Sequence, residues 1–247
     1  MDRLIYTSLT AMRGAMARQT ATANNLANAQ TPGFRADIAE AKAKWLDGDG
    51  FNSRAMSSER VMASNMQAGT VTTTGRDLDV AMAGDVLLAV QAANGDESYT
   101  RRGDLQLSDN GLLITGDGHP VMGGQGTVSI PPADSVSIDA EGRIWIVPQG
   151  GDASQPQEVD RLRLASPTGS DITKGLDGLF RVKGGGVLPQ DPDAKVMTRS
   201  LEGSNVQTTS TLVEMIEASR AWDAQLKLLS DVRQLDDSTA DLMQLPQ

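Results

Sequence analysis

Apolar positions along this chain follow two different periods, and the places where the period changes divide it. Residues 1–28 contain no Pro and a single Gly, Gly14, and Ile5, Leu9, Met12, Met16, Ala23 and Leu26 recur at steps of four and three, with Gln19 in the one polar slot. That spacing is a narrow heptad seam and predicts a helix that packs on another helix. Asp2 can cap its start. Thr31-Pro32-Gly33 must end it, because Pro32 has no N–H to donate and turns Thr31 away from helical geometry. The last 40 residues read the same way. Leu212, Met215, Ser219, Trp222, Leu226 and Leu229 repeat at three and four, and the seam then slides by one residue to Leu228, Val232, Leu235 and Leu242. Ser204-Asn205-Val206-Gln207 and Thr211-Leu212-Val213-Glu214 both fit a capping box. A helix from about 206 to 243 would be roughly 55 Å long.

Between these ends the period falls to two. Short apolar runs such as Val86-Leu87-Leu88-Ala89-Val90, Leu112-Leu113-Ile114 and Arg143-Ile144-Trp145-Ile146-Val147 are separated by turn signals, among them Asn94-Gly95, Asn110-Gly111 and Glu141-Gly142. Regular short strands with such turns predict an all-β sandwich or barrel. Residues 47–76 are rich in Gly, Ser, Thr and Asn and read as a connector with little core of its own. The expected class is therefore α+β. Discontinuous N- and C-terminal helices form a coiled-coil-like helical domain, with a central all-β domain between them. The expected segments are 1–35 (N-terminal helix), 36–76 (connector), 77–200 (β domain) and 201–247 (C-terminal helix).

Composition sharpens this. Leu, Ile, Val and Phe together make 52 of the 247 residues, only just above the share at which chains tend to stay disordered. A core over the whole length is not expected, and the helical ends must find burial elsewhere, because isolated helices are marginal in water. Net charge is -10, with 22 basic and 32 acidic residues. Residues 1–35 carry +3 and residues 201–247 carry -5, so the two ends can attract each other or copies of each other. The narrow seams favour packing between molecules. No basic footprint exists for nucleic acid. No apolar run approaches a membrane span, and the first 18 residues have no apolar signal core, so cleavage of a secretory leader is not expected.

Catalytic chemistry is poorly supplied. Cys is absent and His119 is the only His, which removes thiolate metal sites, cysteine nucleophiles and any site with two imidazoles. There is no Walker A loop and no Gly-x-Ser-x-Gly elbow. Gly116-Asp117-Gly118-His119-Pro120-Val121 has Val where a dinucleotide fingerprint needs its third Gly. Asp47-Gly48-Asp49-Gly50-Phe51-Asn52 starts like a calcium loop, but has Asn52 at its sixth position and Ser58 at its twelfth. Eight aromatic residues make no stacking platform. No catalytic residue, cofactor, metal or small-molecule substrate is expected.

One constellation is unusual. Asn24, Asn25 and Asn28 crowd the end of the first predicted helix, where Asn is a poor choice. They read either as a solvated, fraying end or as amides that bond neighbouring chains and fix register. The segment Ala23-Asn24-Asn25-Leu26-Ala27-Asn28, followed by Thr31 and Gly33-Phe34, resembles the signature of the bacterial flagellar rod and hook proteins. The likeness continues in order through Asp77-Leu78-Asp79-Val80-Ala81, Tyr99-Thr100-Arg101-Arg102-Gly103-Asp104, Asn110-Gly111-Leu112-Leu113, Gly118-His119-Pro120-Val121 and Leu201-Glu202-Gly203-Ser204-Asn205-Val206, to Met215-Ile216 and Arg220. The start and the length look most like a proximal-rod member, with distal-rod and hook subunits similar.

The resemblance implies a non-enzymatic structural subunit of the basal-body rod, which spans the periplasm. Its partners would be other rod proteins and copies of itself. It would leave through the flagellar type III export apparatus without signal cleavage, and its terminal helices would be largely disordered before assembly. The expected interface residues are Leu9, Met12, Met16, Asn24, Asn25, Leu26 and Asn28 at the start, and Met215, Ile216, Trp222, Leu226 and Leu229 at the end. The rival readings are a secreted β-domain hydrolase or lectin, and a coiled-coil adaptor.

Overall fold

A computed structural model describes residues 2–45 and 55–243. The calcium-like turn at 47–52 lies outside the described residues. The chain forms two compact units. The first comprises residues 1–27, 37–63 and 207–247, and the second residues 28–36 and 64–206. The division is not linear: the first unit takes pieces from both ends of the chain, and the second is built from two separate stretches between them.

The first unit holds helix α1 (Asp2–Ala27), helix α2 (Thr208–Met243) and the two paired strands β1 (Asp37–Trp45) and β2 (Ala55–Ser64). Helix α1 packs on both α2 and β1. Part of the predicted connector is thus strand. Alternation in Asp37-Ile38-Ala39-Glu40-Ala41-Lys42-Ala43-Lys44-Trp45 is a period-two pattern built mostly from Ala, a weak apolar signal for a strand. Helix α2 starts at Thr208, between the two predicted capping boxes. Thr211 already lies one turn inside, where its N–H and its hydroxyl both donate to Gln207 O, at 3.0 and 2.9 Å. Ser204 Oγ instead accepts from Val206 N at 3.2 Å, before the helix begins.

Every regular element of the second unit is a strand among the described residues. Its main sheet has five strands in the order Leu164–Ala165, Leu87–Gln91, Glu97–Thr100, Phe180–Val182 and Ile172–Lys174. A three-stranded antiparallel sheet follows chain order through Ala133–Ile138, Arg143–Pro148 and Gln157–Arg161. The continuous run Leu87-Leu88-Ala89-Val90 is explained by burial on both faces. Leu88 and Val90 enter the larger core with Leu105, Leu113, Val121, Ile144 and Leu164. Leu87 and Ala89 enter a smaller core with Tyr99, Phe180 and Leu188. Alternate side chains of one strand point to opposite faces, so a central strand needs apolar residues at every position.

The ends of the second unit are tied by antiparallel pairs. Val196–Thr198 pairs with Val80–Met82, and Ser200–Glu202 pairs with Val71–Thr73. Arg199 stands between the two at φ 52°, the one non-glycine residue with positive φ among the described residues. There the chain changes partner strand within a single residue.

Candidate assembly surface

Helix α1 is amphipathic in an unexpected sense. From Leu9 onward, where side chains are described, its buried positions are small or polar: Gly14, Ala15, Ala21, Thr22 and Asn25. Small residues let a neighbouring backbone approach closely. The predicted seam falls mostly on another side: Leu9 is 42% and Met16 55% exposed, Ala23 is exposed, and Met12 and Leu26 are half-buried. Helix α2 shows the same offset. Its least exposed positions are Thr211, Met215, Ala218, Trp222, Gln225, Leu229 and Val232, a strict alternation of four and three. Met215, Trp222 and Leu229 of the expected seam lie on this strip. Leu212, Ser219 and Leu226 lie one residue off it and are exposed, as are Ile216 at 53% and Leu228 and Leu235. Each helix therefore has one face used within the unit and a second apolar face turned to solvent.

The Asn cluster is partly consumed inside the chain. The buried Asn25 accepts from Asp37 N at 2.7 Å and donates to Asp37 O at 2.9 Å. Its amide acts as a strand partner for the first residue of β1. Asn24 Nδ2 donates to the Asp37 carboxylate at 2.6 Å. Both the carbonyl and the NH2 of Asn25 thus serve the backbone of its own unit. Asn28 Oδ1 accepts from Thr31 Oγ1 at 3.2 Å and Asn28 O accepts from Thr31 N at 3.1 Å, which closes the turn before Pro32.

In the second unit, Gly33-Phe34-Arg35 is locked in place. Gly33 has φ 68°, and a Cβ there would fall 2.2 Å from Arg101 O, so only Gly fits. Its N–H donates to Glu202 O at 2.7 Å. Phe34 is buried, with the Lys174 ammonium 3.7 Å from its ring centroid, a cation–π arrangement. That ammonium also donates to Arg35 O at 2.8 Å.

Periodicity could not reveal the ion pairs of this unit. Arg35 and Arg101 both reach Glu202, 167 and 101 positions along the chain. Arg102 binds Asp104 through Nε and Nη2, at 2.6 and 2.8 Å, and Asp117 through Nη1 at 2.5 Å. Burial works against the Arg102 charge, but these two carboxylates prevail and raise its pKa. The one available signal was type and place: Arg101, Arg102, Asp104 and Glu202 stand inside the quoted family motifs, and Arg35 and Asp117 directly beside them. Among the described residues no group of three or more His, Cys, Asp or Glu is placed to hold a metal ion. No helix of the described residues is long and apolar enough to cross a membrane.

Two helical ends that leave apolar side chains exposed flank a strand-built unit in the sequence, a layout suited to protein contact. Three family models match in sequence order: flagella basal body rod protein at 5–35, flagellar hook protein FlgE/F/G D1 domain at 81–146, and flagellar basal body rod FlgEFG protein C-terminal at 197–242. The chain belongs to the flagellar basal-body rod proteins, in their FlgF branch. It is 38% identical to the flagellar basal-body rod protein FlgF of Escherichia coli (strain K12), over 99% of this chain and 98% of that protein. It is 37% identical to FlgF of Salmonella typhimurium, over 94% of each. FlgG of Bacillus subtilis (strain 168) is 28% identical, over 93% of this chain and 95% of that protein.

Proposed function

We propose that this chain is a structural subunit of the flagellar basal-body rod, in its proximal part. It stacks helically with other rod proteins and with copies of itself into the shaft that carries motor torque across the periplasm. Identity to FlgF over almost the whole length carries this reading. It covers both helical ends and the β unit together, as a subunit that needs all of them requires. The greater identity to the two FlgF proteins than to FlgG favours the proximal over the distal rod. The hydrolase or lectin reading is not favoured, because the matching families and relatives are structural rod and hook proteins by name.

The exposed apolar faces supply the contacts. Leu9 and Met16 on α1, with Met12, Leu26, Asn24 and Asn28 beside them, meet helices of neighbouring subunits. Ile216 and Leu226 do so on α2, flanking the strip of Met215, Trp222 and Leu229. The helices interdigitate there as in a coiled coil. Export through the flagellar type III apparatus, without cleavage of a leader, belongs to the same proposal.

Met16→Asp and Leu226→Asp test it. Both side chains are exposed in the free chain, so each variant is expected to fold with unchanged helicity. Each places a charge where a packed interface would exclude water, at a cost of several kcal/mol per site. Cells carrying either variant as their only copy are expected to be non-motile, with basal bodies that lack a complete rod in electron micrographs. Normal rods and swimming from both variants would refute the interface.

A further inference from the structure

Three segments of the second unit, far apart in sequence, meet at one buried carboxylate. Glu202 Oε1 lies 2.7 Å from Arg35 Nη1 and accepts from Gly69 N at 2.8 Å. Glu202 Oε2 accepts from Arg101 Nε and Nη2, at 2.9 and 2.5 Å. Two buried guanidinium groups thus share a single carboxylate.

The two cations depend on it unequally. Arg101 also donates to three backbone carbonyls: Met82 O at 3.0 Å, Gly84 O at 2.7 Å and Val86 O at 2.6 Å. It is solvated by the fold around it. Arg35 has one further acceptor, Gln67 O at 2.5 Å, and its Nε is buried without a partner. Burial lowers the Arg35 pKa, Glu202 opposes that, and Arg101 adds to it. A buried cation that loses its counter-ion is expensive to keep inside. Arg35 stays buried on the strength of Glu202, whereas Arg101 does not need it to the same degree.

Arg35 belongs to the strap of residues 28–36, and much of what holds that strap comes from the same short stretch as Glu202. Gly33 N donates to Glu202 O at 2.7 Å, Asn205 N donates to Phe34 O at 3.3 Å, and Asn205 Oδ1 accepts from Ala36 N at 2.7 Å. Residues 65–73 hang on it too. Asn205 Nδ2 donates to Asn65 O and Gln67 O, at 2.7 and 2.9 Å, and Gly203 N donates to Thr70 O at 2.8 Å. Ser200–Glu202 is the strand partner of Val71–Thr73.

We propose that Glu202 is the latch that closes the second unit: residues 28–36 and 65–73 take their places only when residues 200–205 have docked and Glu202 has neutralised Arg35. Without that carboxylate, seating Arg35 would set it beside Arg101 as an uncompensated like charge. Closing this contact also closes the longest loop of the unit, a costly step that comes late. A chain that emerges N-terminus first therefore keeps its strap open until the latch has emerged. This holds whether or not the chain assembles into a rod.

Amide hydrogen exchange on the full-length chain tests the latch with three proteins: wild type, Glu202→Gln, and the double variant Arg35→Met/Glu202→Gln. Gln keeps the shape and removes the charge. In Glu202→Gln, protection of the Gly33, Ala36, Gly69 and Gly203 amides is expected to fall about 100-fold or more, while the three-stranded sheet of residues 133–161 keeps its protection. In the double variant the unpaired cation is gone and Met fills its space, so most of the lost protection at these amides is expected to return. Unchanged protection in Glu202→Gln would overturn the proposal. So would a loss shared equally by residues 133–161, or a double variant no better protected than the single one.

Discussion

Tyr99 is fully buried, and its hydroxyl is committed twice: it donates to Glu97 Oε1 at 2.8 Å and accepts from Leu188 N at 2.6 Å. Burial first, and the bond to Glu97 next, push its pKa up from 10.0 to about 12. The folded state thus holds this proton more tightly than the unfolded chain. The contribution is fully present below pH 10 and is lost as pH rises from 10 toward about 12. Tyr99→Phe leaves the Leu188 N–H without its acceptor and is expected to cost about 1–3 kcal/mol near neutral pH. Denaturant titrations at stepped pH are expected to show the gap between wild type and variant shrinking across the alkaline window. A gap that stays constant to the top of that window would contradict the assigned shift. Individual residues like this one were hardly legible in advance. Tyr99 stood in a recognised motif, but the partners that matter, Glu97 and Leu188, are two and 89 positions away. Asn25 is similar: its composition marked it as odd, and only the position of Asp37 showed what it bonds.

At the scale of elements, periodicity located the helices and left open which positions pack inside their own unit. Both terminal helices lie close to where four-and-three spacing put them, and Pro32-Gly33 follows the end of α1 as expected. Spacing identifies large apolar residues, and Leu9 and Met16 of the α1 seam, expected to meet other molecules, are exposed. Among the described side chains of α1, the buried ones that form its inner face are Gly14, Ala15, Ala21, Thr22 and Asn25, residues that hydropathy counts for little but that permit close contact. Ala15→Leu is therefore expected to overpack that face and cost about 1–3 kcal/mol, seen as a lower midpoint in the loss of helical circular dichroism. Ala23→Leu, on the exposed side, is expected to leave the midpoint unchanged. Equal effects of the two substitutions would mean that the inner face has been assigned to the wrong side. The β strands were easier, because short apolar runs between Gly turns are unambiguous. The β1–β2 pair was hidden by its Ala-rich composition.

For the whole molecule, the thin supply of large apolar residues is spent unevenly. The two hydrophobic cores lie in the second unit, while the first has a small-residue face on α1, one strip on α2, and apolar side chains left in water. In unassembled protein, amides of residues 5–26 are expected to exchange orders of magnitude faster than those of Leu87–Gln91, because opening the helices sacrifices far less burial. Strong protection of 5–26 in the monomer would sink that expectation. Sequence alone determined the class of the chain, the two helices, the turn-rich β centre and the family, since each depends on local spacing or on short contiguous motifs. Only the tertiary structure decided which helix face turns inward, that the first unit draws on both ends of the chain, and that Arg35, Arg101 and Glu202 share one buried site. Those facts depend on which distant segments displace water from one another, and burial of that kind leaves no period in the chain.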